Sequence, residues 1–376
     1  MNEIKVAVLG MGFIGKVHTY ACAALPFYYN ELPFKVKLSG IYDRTLAKVQ
    51  AAKNSFGFEF ATDCADDILL RGDADAVCIC VPNYQHSEFV LKAIERGRHI
   101  YCEKPLAASA EEADAIVDAL KGKHIINRIV FHSRFFTSAM RARQIIVEGR
   151  LGRILGFHVL YQHSSNLDAT KKYNWKFSKA YACGGALIDM GSHMLDMIYY
   201  LIGEYKGLFM KAQIVHETRP DESNQPRVVD VEDAAYIVAQ MKNGAMGTMQ
   251  VSKIAAGSND EFIIEITGEK GAIKLDLMDP NWVWFYDNTV PDADLGGCKG
   301  FTKIESVQRY APPGGSFPSP KLAGGWLRAH VHSLYEFLNG VHCGAPCRPD
   351  IADGAYIQRV MQAAYESERK SEWIQI

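Results

Sequence analysis

Hydrophobic residues in the first third of the chain form short continuous runs that end at glycine, proline or a polar residue. The clearest runs are Ile4–Leu9, Phe34–Tyr42 and Ala76–Val81. Such runs are typical of strands that are buried on both faces of a parallel sheet. Helical patterns separate them, as in Lys16–Leu25 and Ser87–Arg96. This alternation predicts an α/β domain with a doubly wound parallel sheet.

From about residue 152 the pattern changes to strands with short polar turns between them. The predicted strands are Ile154–His163, Gly207–Glu217, Ala234–Met241, Met246–Lys253, Phe262–Thr267 and Ala272–Leu275. Turn sequences between neighbouring strands favour an antiparallel meander. One apolar helix is predicted over Gly184–Ile202, a loop rich in Pro, Gly and Ser over Pro312–Gly325, and two helices follow that loop.

The length of the chain predicts two domains, because 376 residues exceed what one hydrophobic core usually supports. We predict a nucleotide-binding domain over 1–128 and a substrate and oligomerisation domain of α+β type over 129–376. The C-terminal helices are expected to pack back on the first domain.

Charge and composition narrow the class of partner. Hydrophobic residues make up 48% of the chain, charged residues 22%, and the formal net charge is −2. No basic stripe indicates nucleic acid, and no apolar run approaches the roughly 20 residues that span a bilayer. No leader sequence is visible, so we expect a cytoplasmic protein with a small-molecule partner. The 9 cysteines lack zinc-site spacing, and we predict no disulfides and no metal.

A glycine-rich turn joins the first strand to the first helix. It reads Gly10-Met11-Gly12-Phe13-Ile14-Gly15. Gly10 permits the tight turn, Gly12 allows the backbone to approach a pyrophosphate, and Gly15 allows close packing of helix on strand. The start of the helix offers N–H groups to an anion. The turn therefore predicts a dinucleotide site that includes Phe13 and Ile14.

The cofactor is suggested by the residues after the second strand. Asp43 ends that strand, where a carboxylate can accept hydrogen bonds from both ribose hydroxyls of NAD. Arg44 follows it and would suit the 2′-phosphate of NADP. The sequence favours NAD and leaves NADP open.

Polar residues also follow the later strands, at the edge of the sheet where such folds bind ligands. Pro82, Asn83 and His86 come after one strand, and Glu103 and Lys104 come after the next. A lysine at a strand end is often only a solvated surface charge, so Lys104 alone does not establish catalysis.

The predicted helix over Gly184–Ile202 carries a narrow polar stripe. Its members are Asp189, Ser192, His193 and Asp196. Buried polar groups need partners, and a substrate rich in hydroxyl groups would supply them. An internal network, with His193 bonded to Asp189, would satisfy them equally well.

Together these motifs resemble the glucose–fructose oxidoreductase, inositol dehydrogenase and rhizopine-catabolism (Gfo/Idh/MocA) family. The resemblance rests on the glycine turn, Asp43, Thr62-Asp63, Asp75-Ala76-Val77, Pro82-Asn83 with His86, Glu103-Lys104-Pro105, Asn174-Trp175-Lys176 and Gly185 through Asp196. It implies a C-terminal domain with a large, open, mostly antiparallel sheet, and a homodimer or homotetramer.

The resemblance also implies roles for individual residues. Lys104 matches the catalytic lysine, Asp189 the aspartate that orients substrate, and His193 the acid–base histidine. Pro82, Asn83 and His86 match the loop beside the nicotinamide, and Glu103 and Lys104 complete the cofactor contacts.

The expected activity is hydride transfer between nicotinamide and a hydroxyl-bearing carbon of a sugar, inositol or glycoside. Arg134, Trp175 and Lys176 are the candidate substrate contacts, although the sequence departs from its relatives at His132. Two alternatives remain open. One is a glycoside-processing enzyme that binds NAD tightly and recycles it, and the other is a regulator that senses a dinucleotide without catalysis.

Overall fold

The computed structural model describes residues 2–29, 31–70, 73–307 and 322–376. The chain divides into two compact units. The first consists of Met1–His132 with Trp326–Gln358, and the second of Ser133–Gly325 with Arg359–Ile376. Residues 312–321 of the predicted loop lie outside the described residues.

The first unit contains a six-stranded parallel sheet in the order β3-β2-β1-β4-β5-β6. Its strands are β1 (Asn2–Leu9), β2 (Phe34–Tyr42), β3 (Phe60–Thr62), β4 (Ala76–Ile79), β5 (His99–Cys102) and β6 (Asn127–Ile129). The strand order changes direction between β1 and β4, which is where doubly wound sheets bind ligands. The predicted parallel sheet is confirmed.

Five helices follow the strands of this sheet. They are α1 (Phe13–Tyr28), α2 (Leu46–Phe56), α3 (Ala65–Leu70), α4 (His86–Glu95) and α5 (Ala110–Leu120). Helix α5 begins at a side-chain cap, because Ser109 accepts the N–H of Glu112 at 3.2 Å. Helix α1 begins after Gly12 without a side-chain cap, so its first N–H groups are left for a ligand.

The second unit contains a nine-stranded sheet in the order β16-β15-β14-β13-β7-β12-β11-β8-β17. Its strands are β7 (Ile154–Gln162), β8 (Tyr205–Gln213), β11 (Ala234–Met241), β12 (Met246–Ser252), β13 (Glu261–Gly268), β14 (Gly271–Asp276), β15 (Trp282–Asp287), β16 (Phe301–Glu305) and β17 (Ile374–Gln375). A separate hairpin pairs β9 (Thr218–Pro220) with β10 (Pro226–Val228).

This sheet corrects the predicted simple meander. Strands β13 to β16 do follow one another as antiparallel neighbours. Strand β7, however, lies between β13 and β12 and is parallel to β12. The long connection after β7 allows this, because parallel neighbours need a crossover rather than a tight turn. The sheet is mixed and mostly antiparallel, as the family resemblance implies.

Helices of the second unit include α6 (Thr137–Val147), α7 (Lys179–Ala182) and α8 (Ser192–Ile202). The predicted helix from Gly184 instead begins at Leu187, and Leu187–Gly191 forms a π-helical turn before α8. Glu232 fixes this start, since its Oε1 accepts the N–H groups of Gly185 at 3.1 Å and Leu187 at 2.9 Å.

The last two helices are α9 (Trp326–Cys343) and α10 (Ile351–Lys370), and β17 follows them. In the first unit, Val331, Leu334 and Phe337 of α9 join the buried cluster that contains Val6 and Val8 of β1. All 9 cysteines are free thiols. None of the helices in the described ranges is both long enough and apolar enough to cross a membrane.

Candidate active site

The glycine turn brings backbone rather than side chains to the edge of the first sheet. Gly10 has φ +104°, and a Cβ on it would lie 2.6 Å from the carbonyl oxygen of Cys80. A Cβ on Gly15 would lie 2.0 Å from the carbonyl oxygen of Gly10. Around Gly12 nothing lies within 4 Å of that position. The turn therefore has room for a pyrophosphate against the uncapped start of α1.

An aromatic cluster that the sequence did not predict flanks this turn. Phe13 is exposed, and its ring stacks on Trp326 with centroids 5.7 Å apart. Trp326 contacts His330 edge-on at 4.3 Å, and His330 stacks on His132 at 4.1 Å. Ile14 is half-buried beside Phe13. Because α9 supplies Trp326 and His330 from far along the chain, no local motif could have indicated them.

Asp43 lies at the end of β2 and is held as a carboxylate. Its Oδ2 accepts the N–H of Met11 at 3.0 Å and the ammonium of Lys48 at 2.7 Å. Burial raises the pKa of Asp43, but the hydrogen bonds from Lys48 and Met11 outweigh burial and lower it overall. Arg44 beside it is exposed. An ionised carboxylate at this place suits ribose hydroxyl groups.

Glu103 and Lys104 follow β5, and Glu103 links the lysine to α1. Its Oε2 accepts the N–H of Lys104 at 3.2 Å, and its Oε1 lies 2.9 Å from Nε2 of His18. Nδ1 of His18 lies 3.3 Å from Sγ of Cys80. Glu103 and His18 are buried, whereas Lys104 is half-buried. The carboxylate therefore fixes the backbone from which the lysine side chain projects.

The loop after β4 contains Pro82 and Asn83, both half-buried, and the buried His86. The ring of His86 lies between two carbonyl oxygens, with Nδ1 2.5 Å from that of Pro105 and Nε2 2.9 Å from that of Val81. Burial lowers the pKa of this histidine. The ring thus ties the end of β4 to the turn that carries Lys104.

Three buried side chains in the first unit have the donor types of a metal site. His18, Glu103 and His330 each bring one ligand atom to within 4.8 Å of the others. The sequence analysis predicted no metal and did not group these residues. The hydrogen bond between His18 and Glu103 joins two of these residues and ties the end of β5 to α1.

Asp189 lies in the π-helical turn of the second unit and faces two lysines. Its Oδ2 is 3.0 Å from Nζ of Lys253 and 3.3 Å from Nζ of Lys176. The Asp189 side chain is 33% exposed, while that of Lys253 is 9% exposed. Sequence analysis missed Lys253, although a lysine that ends an apolar strand is a usable signal. His193, four residues after Asp189, is buried.

Asp196 lies seven residues after Asp189 and has a different environment. Nε and one terminal nitrogen of Arg134 donate to its two oxygens at 2.9 and 2.6 Å. The Asp196 side chain is 0% exposed and that of Arg134 is 8% exposed. The guanidinium also lies over the ring of Tyr200 at 5.1 Å. The predicted polar stripe therefore divides into an enclosed ion pair and a partly open cluster.

Two other predicted substrate residues lie in a short 3₁₀ turn, Trp175–Phe177. Asn174 caps this turn by accepting the N–H of Lys176 at 3.0 Å. Trp175 is 41% exposed, and the Lys176 ammonium lies 5.8 Å from its ring centre. The turn therefore presents an exposed aromatic ring with a cation near it.

Comparison with protein families covers nearly the whole chain. Residues 4–131 match the model for the NAD-binding Rossmann fold of the Gfo/Idh/MocA oxidoreductases. Residues 143–376 match the model for the C-terminal alpha/beta domain of the same family. The chain belongs to the Gfo/Idh/MocA family.

Members of this family with known activities resemble the chain over its full length. Levoglucosan dehydrogenase of Pseudarthrobacter phenanthrenivorans is 30% identical, with 100% of this chain and 99% of that protein covered. Glucose-6-phosphate 3-dehydrogenase of Bacillus subtilis is 24% identical, with 98% and 97% covered. A solved structure of levoglucosan dehydrogenase with NADH and levoglucosan superposes with a TM-score of 0.95, at 30% identity and 100% and 99% coverage.

The family assignment and the first unit agree on the cofactor. The open glycine turn, the uncapped α1 and the ionised Asp43 fit the pyrophosphate and ribose of NAD. The chain is an NAD-dependent oxidoreductase of the Gfo/Idh/MocA family. The predicted family, enzyme class and cofactor are confirmed.

Proposed function

We propose that the protein transfers a hydride between NAD and a hydroxyl-bearing carbon of a sugar, inositol or glycoside. One observation carries this proposal. A single helical segment presents a partly open carboxylate, Asp189, and a buried imidazole, His193. Relatives of similar length act on levoglucosan and on glucose 6-phosphate. A hydroxyl group needs both an acceptor that orients it and a base that removes its proton.

The proposed chemistry divides the work between three side chains. His193 takes the hydroxyl proton during oxidation, because imidazole titrates near neutral pH. Lys104 donates a hydrogen bond to the same oxygen and stabilises its developing negative charge. Asp189 accepts a hydrogen bond from a substrate hydroxyl group. Bound NAD would supply the hydride acceptor.

We assign the remaining predicted residues as follows. Trp175 is exposed and offers an aromatic face to a sugar ring, and Lys176 offers a donor. Arg134 uses two donors on Asp196, so its proposed role is to hold α8 in place under His193. Pro82 and Asn83 remain proposed cofactor contacts, and His86 and Glu103 act by positioning the turn that carries Lys104.

A second candidate function has one specific observation in its favour. A 2,7-anhydro-N-acetylneuraminate hydratase of Escherichia coli is 27% identical over 74% of this chain. Hydration involves no net oxidation, so membership of the family does not by itself decide the net reaction. The second candidate is an enzyme that keeps NAD bound and returns the hydride to its product.

The deciding experiment measures NADH released during turnover. NAD-loaded protein is screened at 340 nm with monosaccharides, inositols and glycosides, and each product is analysed by mass spectrometry. Net NADH formation with an oxidised product supports the dehydrogenase. A converted product without NADH, with NAD recovered from denatured protein, supports the second candidate.

Lys104→Ala tests the proposed chemistry directly. We expect turnover to fall about a thousandfold, while the dissociation constant for NAD stays within about twofold. Lys121→Ala is the matched control, because Lys121 is an exposed lysine of the same unit that pairs with Asp118. Unchanged turnover in Lys104→Ala would remove Lys104 from the mechanism.

We also propose that the protein is a homo-oligomer, a dimer or tetramer. The register of the nine-stranded sheet places Tyr236 and Val238 of β11, Met246 of β12 and Trp284 of β15 on one face. All four side chains are exposed. Large apolar side chains that share one open face are typical of an interface between subunits.

A further inference from the structure

Three lysines of the second unit lie near the carboxylate of Asp189, and two of them contact it. We name Lys171, Lys176 and Lys253 the lysine cluster. Nζ of Lys253 and Nζ of Lys176 lie 3.0 and 3.3 Å from the same Oδ2 of Asp189. One negative charge therefore faces two ammonium groups, and the side chain of Lys253 is only 9% exposed.

Lys171 adds a third ammonium that contacts neutral groups. Its Nζ donates to the carbonyl oxygen of Ser165 at 2.7 Å and to Oδ1 of Asn166 at 3.2 Å. It also lies 5.6 Å from the ring centre of Phe177. Within the described ranges, no carboxylate lies within ion-pair distance of Lys171. Since an ammonium carries three N–H donors, one donor remains for a ligand.

Neighbouring charges reinforce the positive character of this cluster. The guanidinium of Arg219 lies 4.6 Å from the centre of the same Phe177 ring, and Asp233 and Asp168 are its counter-charges. Burial lowers the pKa of Lys171, and repulsion from Arg219, Lys253 and Lys176 lowers it further against the attraction of Asp189. The charges that shift the pKa of Lys171 are therefore mainly positive, although Asp233 and Asp168 offset that of Arg219.

We propose that the natural substrate is an anionic sugar or polyol, whose phosphate or carboxylate group binds Lys171 and Lys176. This inference rests on the proposed function. A neutral sugar would displace water from the ammonium groups without supplying a counter-charge, whereas an anionic group forms charge-assisted hydrogen bonds with them. Lys253 holds Asp189 for a hydroxyl group of the same substrate.

The test compares three ligands that share one ring and differ in charge. Glucose, glucose 6-phosphate and glucuronate are titrated into NAD-loaded protein by calorimetry, and the same three are assayed for NADH formation. We expect at least one anion to bind about tenfold more tightly than glucose, with an advantage that shrinks as salt rises. A preference for glucose 6-phosphate identifies phosphate, and a preference for glucuronate identifies carboxylate.

Substitutions test whether Lys171 is responsible for the preference for an anion. Lys171→Gln should raise the dissociation constant of the anion about tenfold and change that of glucose by less than about twofold. Lys171→Arg should retain the preference for the anion. Lys242→Gln is the matched control, because Lys242 is an exposed lysine of the same unit that pairs with Glu204. Lys242→Gln should change the dissociation constant of neither ligand.

The possible results separate this inference from the proposed function. Equal binding of all three ligands, or equal losses for glucose and the anion in Lys171→Gln, would overturn the anionic substrate. If glucose is nevertheless oxidised in a reaction that requires Lys104, the proposed function stands. Tight binding of an anion without any hydride transfer would support the anion site and count against the dehydrogenase.

Discussion

The two units bury their polar side chains in different ways. In the first unit, many of the buried polar groups are imidazoles: His18, His86, His132, His330 and His332. The second unit contains two ion pairs with a buried member, Arg134 on Asp196 and Lys253 on Asp189. An imidazole can be buried without charge, whereas a guanidinium or an ammonium needs a counter-charge.

This difference predicts that the units respond to different perturbations. Lower pH should strain the first unit, because its histidines must take up protons in an apolar environment. Removal of one member of an ion pair should strain the second unit, because the other charge is then buried alone. Each of the following changes tests one side of this contrast.

The largest expected effect is the loss of the enclosed pair in the second unit. Asp196→Ala leaves the buried guanidinium of Arg134 without its carboxylate, and we expect the free energy of unfolding to fall by about 3–5 kcal/mol. Urea unfolding at neutral pH measures the change.

Two further variants serve as controls for this loss. The double substitution Arg134→Met with Asp196→Leu should lower the free energy of unfolding less than Asp196→Ala alone, because no unpaired charge remains. Asp189→Ala should lower the free energy of unfolding less than Asp196→Ala, because Asp189 is 33% exposed and its removal opens the ammonium of Lys253 to solvent. Similar losses in Asp189→Ala and Asp196→Ala would erase the distinction between the enclosed pair and the open cluster.

The contrast between units also explains what the sequence could predict. The glycine turn, Asp43 and Lys104 each follow a strand closely, so local spacing was enough to place them at one edge of the parallel sheet. The family resemblance also implied a large, mostly antiparallel sheet in the C-terminal domain. It missed the parallel pairing of β7 with β12, because register between distant strands leaves no local signal.

The site in the second unit depended on contacts between distant residues. The regular helical spacing suggested that Asp189 and Asp196 share one function, but the π-helical turn and Arg134 separate them. Lys253 reaches Asp189 from the end of β12. Trp326 and His330 reach the glycine turn from α9. Such pairings follow from topology, and composition or periodicity does not reveal them.

The next expected effect concerns acid and the first unit. Burial, with smaller contributions from Arg328 and Arg128, lowers the pKa of His332 to about 3. Its Nδ1 lies 2.7 Å from the hydroxyl of Tyr29, which can donate to the neutral ring. A pKa lowered by folding stabilises the protein above the ordinary histidine pKa, and this stabilisation is lost as pH falls from about 6.5 towards 3.

The prediction is a pH-dependent difference between two proteins. Between pH 7.5 and pH 5, His332 should account for about 2 kcal/mol of lost unfolding free energy, so His332→Gln should show a smaller loss than the unaltered protein. Urea unfolding at both pH values measures this difference. His158→Gln, which changes an exposed histidine of the second unit, should behave as the unaltered protein does. Equal pH dependence in His332→Gln would mean that His332 does not carry the effect.

The smallest expected effect concerns Asp43, an ion-paired carboxylate of the first unit. Its hydrogen bonds from Met11 and Lys48 keep it ionised, and we propose that the ribose hydroxyls of NAD bind to it. Asp43→Ala should raise the dissociation constant for NAD about tenfold and change that for NADP less, because the lost carboxylate no longer repels a 2′-phosphate. Fluorescence titration with both cofactors measures the two constants, with Asp118→Ala as an exposed control on α5. If NAD and NADP weaken equally, Asp43 serves only to hold the glycine turn through Met11, and cofactor choice lies elsewhere in the first unit.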